Sequence, residues 1–289
     1  MGPVAPVLTA GFALIAPHYD VVLCDVWGVV HNGLAPFPEA CDALARFRAN
    51  GGTVILITNA PRPGEVVIRM LDRLGVPRAA YDGIVSSGDV TRAVIAAHSG
   101  ERVFHLGPER DHSIFAGLDA SFAPVDSADY TVCTGLFNDE TETPDHYRSL
   151  LATMRRRGLL MVCANPDVVV ERGDRLIYCA GALADLYGEL GGEVLYAGKP
   201  HRAIYAQALD QAVAVRRAPV AQARVLAIGD SLRTDLKGAQ AFGVDCLFVT
   251  AGIHAEEFGS RDDPDTIALG TMLAAAGTAP KAVMRRLAW

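Results

Sequence analysis

The chain has 289 residues, of which 51% are hydrophobic and 20% charged, a composition that is ordinary for a globular protein with a sizeable core. Its formal net charge is −7 and its pI is about 5.6, which argues against nucleic acid as a main partner. No apolar run approaches the roughly 18 residues that a membrane span needs, so no membrane partner is expected.

Strand patterns alternate with helix patterns along the chain, which favours an α/β protein with a largely parallel sheet. Apolar runs predict strands at Val21–Cys24, Thr53–Ile57, Ile84–Ser87, Arg102–Leu106, Tyr130–Cys133, Leu159–Cys163, Leu195–Tyr196, Val225–Ile228 and Cys246–Val249. Helical spacing with start and stop signals predicts helices at Glu39–Asn50, Pro63–Leu74, Asp89–His98, Pro144–Arg157, His201–Val213, Thr234–Phe242 and Thr266–Ala276.

The first fifteen residues are apolar but lack a basic segment, and they run directly into the first strand. We therefore expect an ordered N-terminal segment and not a signal peptide. The six cysteines are scattered and form no CxxC pair, which favours small core residues in a reducing compartment over disulfides or metal ligands. A cytoplasmic location is the corresponding expectation.

Polar residues that suit phosphoryl transfer stand at the ends of several predicted strands. Asp25 follows VVLC, Thr58 follows VILI, and Lys199 lies in a glycine–proline turn before a helix. Asp230 and Asp235 lie in IGDSLRTDLKGA, after the strand VLAI. Because an open α/β sheet binds its ligands at the carboxyl ends of its strands, these residues are predicted to meet at one edge.

Each residue type has a physical role in such a site. A carboxylate can attack phosphorus and form an aspartyl-phosphate. A second carboxylate and a backbone carbonyl can hold Mg²⁺, while a lysine and a hydroxyl can bind phosphoryl oxygens. Backbone N–H groups of the Trp27-Gly28 turn can add an anion-binding nest. Taken singly, each residue is more often a cap, turn or surface residue, so the signal lies in their order and context.

The four segments DVWGVVHNG, ITNAPRP, AGKPH and IGDSLRTDLKGA resemble, in this order, the four motifs of the haloacid dehalogenase (HAD) superfamily of phosphohydrolases. The resemblance covers nearly the whole chain. The long insertion between the second and third motifs is similar to the α/β cap of class IIA members, the NagD-like group. The segment CANPD resembles the Asn-Pro-Asp stretch of those caps, and other segments resemble a subgroup of predicted sugar phosphatases.

The resemblance implies a Rossmann-like parallel-sheet core domain over residues 1–80 and 194–289, with an inserted α/β cap domain over residues 81–193. It also implies a Mg²⁺-dependent phosphatase that acts on a small, sugar-phosphate-like metabolite. Dimerisation of two copies through the cap is a further expectation.

The resemblance also assigns roles to individual residues. Asp25 is the nucleophile, and Mg²⁺ is held by Asp230, the Asp25 carboxylate and the Trp27 carbonyl. Asp235 supports the site by orienting Lys199 or a metal-bound water. The residues expected to bind the substrate or its phosphoryl group are Trp27, Gly28, Thr58, Asn59, Asn165 and Lys199.

Trp27 departs from the family pattern, because most phosphatases of the superfamily have an aspartate there that serves as general acid and base. An indole only donates an N–H and cannot do this work. Three explanations remain open: His31 supplies the proton, the substrate has a good leaving group, or the protein is a weak phosphatase or a binding and regulatory descendant. The last explanation is the alternative function.

Four polar residues of the predicted cap, His105, Glu109, Asp111 and His112, have a spacing that fits no standard metal-ligand pattern. We interpret them as surface or substrate-facing residues. Arg62, in the second motif, is predicted to form a local salt bridge.

Overall fold

The computed structural model describes residues 8–172, 175–260 and 263–289. Within these ranges the chain forms two compact units. The first unit contains the chain up to Thr58, Ile68–Val85 and Tyr205–Trp289, and the second contains Asn59–Val67 and Ser86–Ile204. The first seven residues of the predicted ordered N-terminal segment lie outside the described residues.

The strands and helices alternate through both units. The described strands are β1 Val21–Asp25, β2 Thr53–Thr58, β3 Gly83–Ser86, β4 Arg102–Leu106, β5 Ser121–Phe122, β6 Tyr130–Cys133, β7 Leu160–Cys163, β8 Val169–Arg172, β9 Arg175–Tyr178, β10 Val194–Tyr196, β11 Val225–Gly229, β12 Asp245–Val249 and β13 Ala282–Met284. The α-helices are α1 Pro38–Ala49, α2 Gly64–Leu74, α3 Ser87–Ala97, α4 Arg148–Arg157, α5 Ala180–Glu189, α6 Arg202–Arg216, α7 Lys237–Phe242 and α8 Thr266–Ala275. Short 3₁₀ helices lie at Phe12–Leu14, Ala16–His18, Arg78–Ala80, Glu109–Phe115, Pro144–Tyr147 and Gln222–Arg224, and a π-helical turn lies at Leu232–Leu236.

A six-stranded sheet organises the first unit, in the order β13-β12-β11-β1-β2-β3. Strand β1 pairs in parallel with β2 on one side and with β11 on the other. The chain moves outward from β1 to β2 and β3, and later returns to the opposite side of β1 as β11. The topological switch point therefore lies between β1 and β11, where open α/β sheets bind their ligands.

The burial of the central strands explains why the sequence predicts them. Every residue of β1, β2 and β11 is buried, and parallel strands covered on both faces are near-continuous apolar runs. The predicted α/β class with a parallel Rossmann-like core is confirmed.

The second unit has a sheet and a core of its own. Its five strands follow the order β10-β7-β6-β4-β5 with parallel pairs, and β8 and β9 form a separate antiparallel hairpin. Leu151, Met154 and Leu183 are fully buried in its core. The buried Tyr187 hydroxyl donates a 2.6 Å hydrogen bond to the Leu159 carbonyl.

The bounds of the two units differ from the predicted domain limits, because Asn59–Val67 joins the second unit. Hydrogen bonds within that unit explain the difference: Asn59 bonds to Lys199, and the Gly64 N–H donates to Asp89. The inserted cap over residues 81–193 stays a prediction.

The sequence analysis did not predict helix α5 or the β8–β9 hairpin. Seven of the ten residues of α5 are buried, so it lacks the alternation of polar and apolar faces that marks a surface helix. The predicted helix Thr234–Phe242 begins earlier, as the π-helical turn, and continues as α7.

All six cysteines are buried and outside disulfides, in positions expected of small core residues. Among the described residues, the helices are too short or too polar to cross a bilayer.

Ser86 caps α3 in a reciprocal arrangement. Its Oγ accepts a hydrogen bond from the Asp89 N–H at 3.0 Å, and the Asp89 carboxylate accepts one from the Ser86 N–H at 2.9 Å. We expect Ser86→Ala to lower the free energy of unfolding by about 1–2 kcal/mol, measured by urea denaturation and circular dichroism. The control Ser149→Ala, on the exposed face of α4, should change it by no more than about 0.5 kcal/mol. Equal stability of the two variants would contradict the capping role.

Candidate active site

The strand register places three of the predicted site residues around the switch point. Asp25 is the last residue of β1 and lies opposite Ile57 of β2, so Thr58 follows one position beyond it. Cys24 lies opposite Ile228 of β11, so Asp230 follows two residues after that pair. Asp25 therefore stands between Thr58 and Asp230 at the carboxyl edge of the sheet.

Three carboxylates form a compact buried group at this edge. One oxygen from each of Asp25, Asp230 and Asp235 lies within 4.8 Å of the other two, and all three residues are buried. Carboxylate oxygens are the ligands that Mg²⁺ prefers, and buried negative charges in such proximity need a cation. The group therefore fits a divalent metal ion. The position of Asp235 agrees with a supporting role and also allows it to be a ligand.

Backbone N–H groups fix the orientation of each carboxylate. Asp25 Oδ1 accepts a hydrogen bond from the Val26 N–H at 2.7 Å. Asp230 Oδ2 accepts one from the Ile253 N–H at 2.8 Å, and Asp235 Oδ2 accepts one from the Ser231 N–H at 3.1 Å. These donors hold one oxygen of each carboxylate in a fixed position, as an ordered metal site requires.

Two glycines make room for the Asp230 carboxylate. A Cβ atom added to Gly28 would lie 2.0 Å from Asp230 Oδ2, and one added to Gly252 would lie 1.9 Å from the same oxygen. Gly28 also has a φ of +82°, which disfavours any larger residue. The sequence analysis did not assign a role to Gly252. Its signal is a glycine just after a strand that ends at the same sheet edge.

His254 was also missed, although it anchors the loop that holds Asp230. Its Nε2 accepts a hydrogen bond from the Leu232 N–H at 3.3 Å, and its Nδ1 lies 2.8 Å from Glu257. Both ring nitrogens are therefore engaged within the loops of the sheet edge.

Backbone hydrogen bonds within the turn that follows β1 satisfy several of its own N–H groups. The Gly28 N–H donates to the His31 carbonyl at 2.8 Å, and the N–H groups of Val30 and His31 donate to the Val26 carbonyl. This differs from the predicted anion nest, because the Gly28 N–H is directed to a protein carbonyl. Gly28 instead has a structural role, because its missing side chain lets the Asp230 carboxylate lie close to the backbone of the turn.

The Trp27 indole lies between His31 and Gly33. The indole and imidazole rings meet edge to face with their centroids 5.0 Å apart. A Cβ on Gly33 would lie 2.7 Å from two indole carbons, and Gly33 has a φ of +86°. The turn is thus shaped to accommodate a large ring at position 27.

His31 lies inside this turn and is fully buried. Its Nδ1 accepts a hydrogen bond from the Gly33 N–H at 2.8 Å, so the proton of the neutral ring is on Nε2. Nε2 has no hydrogen-bond partner among the described residues. Burial lowers the pKa of His31 to about 4. A neutral imidazole enclosed in this way opposes the predicted role of His31 as general acid.

The remaining predicted site residues form a group within the second unit. Asn59 Oδ1 accepts the Lys199 N–H at 2.7 Å, and Asn59 Nδ2 donates to the Lys199 carbonyl at 3.2 Å and to Asp167 at 2.9 Å. Asn165 Oδ1 accepts the Asp167 N–H at 3.1 Å. These bonds use both donors of the Asn59 amide, which conflicts with its predicted direct contact to phosphate. Asn59 instead holds the backbone of Lys199, whose side chain is buried.

The polar residues of the predicted cap have structural partners. Arg62 forms a salt bridge as predicted, but its partner is the buried Asp111, 49 residues away in the chain and 2.7 Å from the guanidinium group, and not a local residue. The rings of His105 and His112 pack against each other and against Phe115. Among the described residues, the three aspartates of the first unit are placed to hold a metal ion, and His105, Glu109, Asp111 and His112 form no such group.

Two family models match the chain. A model described as haloacid dehalogenase-like hydrolase matches residues 22–121, and one described as HAD-hydrolase-like matches residues 196–275. The crystal structure of a hydrolase of the haloacid dehalogenase-like family from Brucella suis 1330 is 47% identical. It aligns over 97% of this chain and 100% of that chain with a TM-score of 0.87.

A relative whose name states an activity has a lower sequence identity to this chain. The D-glycerol 3-phosphate phosphatase of Mycobacterium tuberculosis is 31% identical over 250 residues, which are 83% of this chain. This chain spans 65% of the length of that relative. A crystal structure of glycerol phosphate phosphatase from the same organism in complex with magnesium has a TM-score of 0.64 and 26% identity, over 83% of this chain and 70% of that chain.

The contacts of Gly252 predict a loss of metal affinity in Gly252→Ala. The new methyl group would displace the Asp230 carboxylate, and we expect Mg²⁺ to bind about 10–100-fold more weakly, measured by isothermal titration calorimetry. The matched control is Gly188→Ala in α5, where an added Cβ meets nothing within 4 Å, and it should bind Mg²⁺ normally. Unchanged affinity in Gly252→Ala would contradict the assignment of Asp230 as a metal ligand.

Burial of neutral His31 predicts acid sensitivity of the first unit. The unfolded chain takes up a proton near pH 6.5, whereas folded His31 resists protonation until about pH 4, so stability is lost as the pH falls through this window. Between pH 7 and pH 5, we expect His31 to account for a loss of about 2 kcal/mol. Urea unfolding followed by tryptophan fluorescence measures this loss, because Trp27 and Trp289 both lie in the first unit.

The control for this experiment is His31→Asn, whose side-chain oxygen can still accept the Gly33 N–H. The variant should be less stable at pH 7 but should lose less stability on acidification than the wild type. Parallel pH dependence of the two proteins would show that His31 is not held neutral.

Proposed function

We propose a reaction for this chain, which belongs to the haloacid dehalogenase-like hydrolase family. We propose that the chain is a phosphoric monoester hydrolase and that it cleaves a small phosphorylated metabolite through an aspartyl-phosphate on Asp25. The observation that carries this proposal is the group of three buried carboxylates beside the switch point, with Asp25 on the central strand.

The proposed reaction has two steps. A carboxylate oxygen of Asp25 attacks phosphorus, the bond to the leaving oxygen breaks, and the bonding electrons depart with that oxygen. Water then attacks phosphorus of the aspartyl-phosphate and loses a proton, and inorganic phosphate and the Asp25 carboxylate are released. The hydrogen bond from the Val26 N–H to Oδ1 orients the carboxylate during the attack.

Mg²⁺ is the proposed cofactor, and the related phosphatase from M. tuberculosis has been crystallised with magnesium. The carboxylates of Asp25 and Asp230 and the Trp27 carbonyl would hold it, with Asp235 close to both carboxylates. When bound, the ion neutralises the charge that accumulates between the carboxylates and the phosphoryl oxygens. Ile253 and Gly252 keep Asp230 in place for this purpose.

The phosphoryl group is proposed to contact Thr58 through its hydroxyl and Lys199 through its ammonium group. This assignment rests on the order of the motifs and on the chemistry of the two side chains. Asn59 acts on Lys199 through the backbone hydrogen bonds that it makes within the second unit. Asn165 remains a proposed substrate contact.

The substrate class is proposed to be a small phosphorylated metabolite, as for the glycerol-phosphate phosphatase relative. A sugar-phosphate-like compound, a cytoplasmic location and a homodimer remain predictions of the sequence. A second candidate function, a weak phosphatase or a regulator that binds phosphorylated metabolites, is favoured by the indole of Trp27 at the general-acid position. Stabilisation by a ligand without turnover would support that candidate.

Asp25→Asn tests the nucleophile. We expect the turnover of p-nitrophenyl phosphate with Mg²⁺ to fall about 10³-fold or more, because an amide cannot form the covalent intermediate. Acid quenching of the wild-type reaction followed by mass spectrometry should detect a phosphorylated Asp25 peptide.

The control is Asp20→Asn, just before the opposite end of β1, where Asp20 pairs with Arg224 at 2.7 Å. This variant should lose some stability and keep its turnover. Normal turnover in Asp25→Asn would contradict the proposed reaction.

A further inference from the structure

One side-chain amide, that of Asn59, holds the backbone of Lys199. Its Oδ1 accepts the Lys199 N–H at 2.7 Å, and its Nδ2 donates to the Lys199 carbonyl at 3.2 Å. Both residues are buried and belong to the second unit. An amide turned by half a rotation would place its donor against the Lys199 N–H and its oxygen against the Lys199 carbonyl, so both bonds would be lost. The hold on Lys199 therefore depends on the direction in which the Asn59 amide faces.

The carboxylate of Asp167 fixes that direction. Asn59 Nδ2 donates a second hydrogen bond, at 2.9 Å, to Asp167 Oδ1. In a turned amide, Oδ1 of Asn59 would face the Asp167 carboxylate oxygen, and two acceptors form no hydrogen bond with each other. Asp167 therefore selects the amide orientation that matches both backbone groups of Lys199.

Helix α5 in turn fixes the position of Asp167. The N–H of Gly181, in the first turn of α5, donates to the Asp167 carbonyl at 3.1 Å. A Cβ atom added to Gly181 would lie 2.3 Å from the Pro166 carbonyl oxygen and 2.5 Å from the Asp167 carbonyl oxygen. The Asp167 N–H donates to Asn165 Oδ1 at 3.1 Å. Asp167 is thus anchored through its own backbone, and its side chain reaches Asn59 from a fixed support.

Gly198 gives these groups access to the Lys199 backbone. A Cβ atom added to Gly198 would lie 2.3 Å from Asn59 Oδ1 and 2.8 Å from Pro166 Cδ. A glycine directly before Lys199 therefore lets the Asn59 amide and the segment that carries Asp167 pack against the same stretch of backbone. All of these contacts lie within the second unit.

We propose that Asp167 is a positioning residue for the reaction. It orients the Asn59 amide, and the amide fixes the backbone from which the Lys199 side chain extends. This inference rests on the proposed function, in which the Lys199 ammonium group binds the phosphoryl oxygens. In this role Asp167 acts through Asn59, so it needs no contact with the phosphoryl group.

A shift of the Lys199 backbone gives this role its physical basis, because it moves the whole side chain. The ammonium group stabilises charge on phosphoryl oxygens only within hydrogen-bonding distance, and a misplacement of about 1 Å costs roughly 10²-fold in rate. In Asp167→Ala we expect kcat/KM for p-nitrophenyl phosphate with Mg²⁺ to fall about 10–100-fold. Mg²⁺ affinity, measured by isothermal titration calorimetry, should stay normal, because the three carboxylates of the metal group lie in the first unit.

A double-mutant cycle with Lys199→Met separates positioning of the lysine from a general structural effect. Methionine keeps an unbranched side chain but carries no charge. If Asp167 acts through the ammonium group, Asp167→Ala should lower kcat/KM much less in the Lys199→Met background than in the wild type. A loss by the same factor in both backgrounds would overturn the inference.

The rescue variant is Asp167→Asn, whose side-chain oxygen still accepts a hydrogen bond from Asn59 Nδ2. It should recover most of the kcat/KM that Asp167→Ala loses. Asp167→Leu is close to it in size and lacks the acceptor, so it should stay impaired, and it replaces Asp167→Ala in the cycle if the alanine variant does not fold. Equal activity of the asparagine and leucine variants would contradict the role of Asp167.

The matched control is Asp119→Ala, also in the second unit, where Asp119 accepts a hydrogen bond from Ser99 Oγ at 3.0 Å. It should keep the wild-type kcat/KM.

The variant Asp25→Asn distinguishes failure of this inference from failure of the proposed function. If Asp25→Asn is inactive and the cycle gives equal factors, the proposed reaction stands without the role of Asp167. Normal turnover in Asp25→Asn would remove the reaction and this inference together. Wild-type turnover in Lys199→Met would remove the proposed phosphoryl contact of Lys199 and the role of Asp167 with it.

Discussion

The structure of the first unit depends on keeping three carboxylates buried and close together. At separations within 4.8 Å, two ionised aspartates repel each other by at least about 3.5 kcal/mol at an effective dielectric constant of about 20. Parallel strands bring Asp25 and Asp230 to the same edge, backbone N–H groups favour their charges, and Gly28 and Gly252 leave space around Asp230. Such an arrangement is unfavourable without a cation, so the fold positions these side chains for a ligand and not for its own stability.

The sequence predicts the positions that follow directly from a buried strand. Asp25 and Asp230 are recognisable because each interrupts a continuous apolar run, and the parallel topology then brings their strands together. Gly252 and His254 could not be found in this way, because no local pattern states which loop contacts Asp230. The burial of His31 could not be found either, because it depends on the hydrogen bonds of the turn that fix its ring inside the first unit.

Asn59 shows how a motif residue can act through another one. Its amide bonds to both the N–H and the carbonyl of Lys199, so the second motif fixes the backbone of the third. A side chain amide is suited to this task because it presents a donor and an acceptor side by side, as a peptide group does. The resemblance assigned Asn59 and Lys199 to the same group of residues. Only the hydrogen bonds of the structure indicate that the Asn59 amide holds the Lys199 backbone.

Position 27 combines two tasks that involve different atoms. The proposed metal contact uses the backbone carbonyl, which any residue supplies, whereas proton transfer would need an acidic side chain. Replacing the acid by an indole can therefore remove proton transfer while the carboxylate group and its metal are kept. A glycine at position 33 leaves room for the indole and the buried imidazole of His31 meets its edge, so the turn as a whole is adapted to the size of this ring.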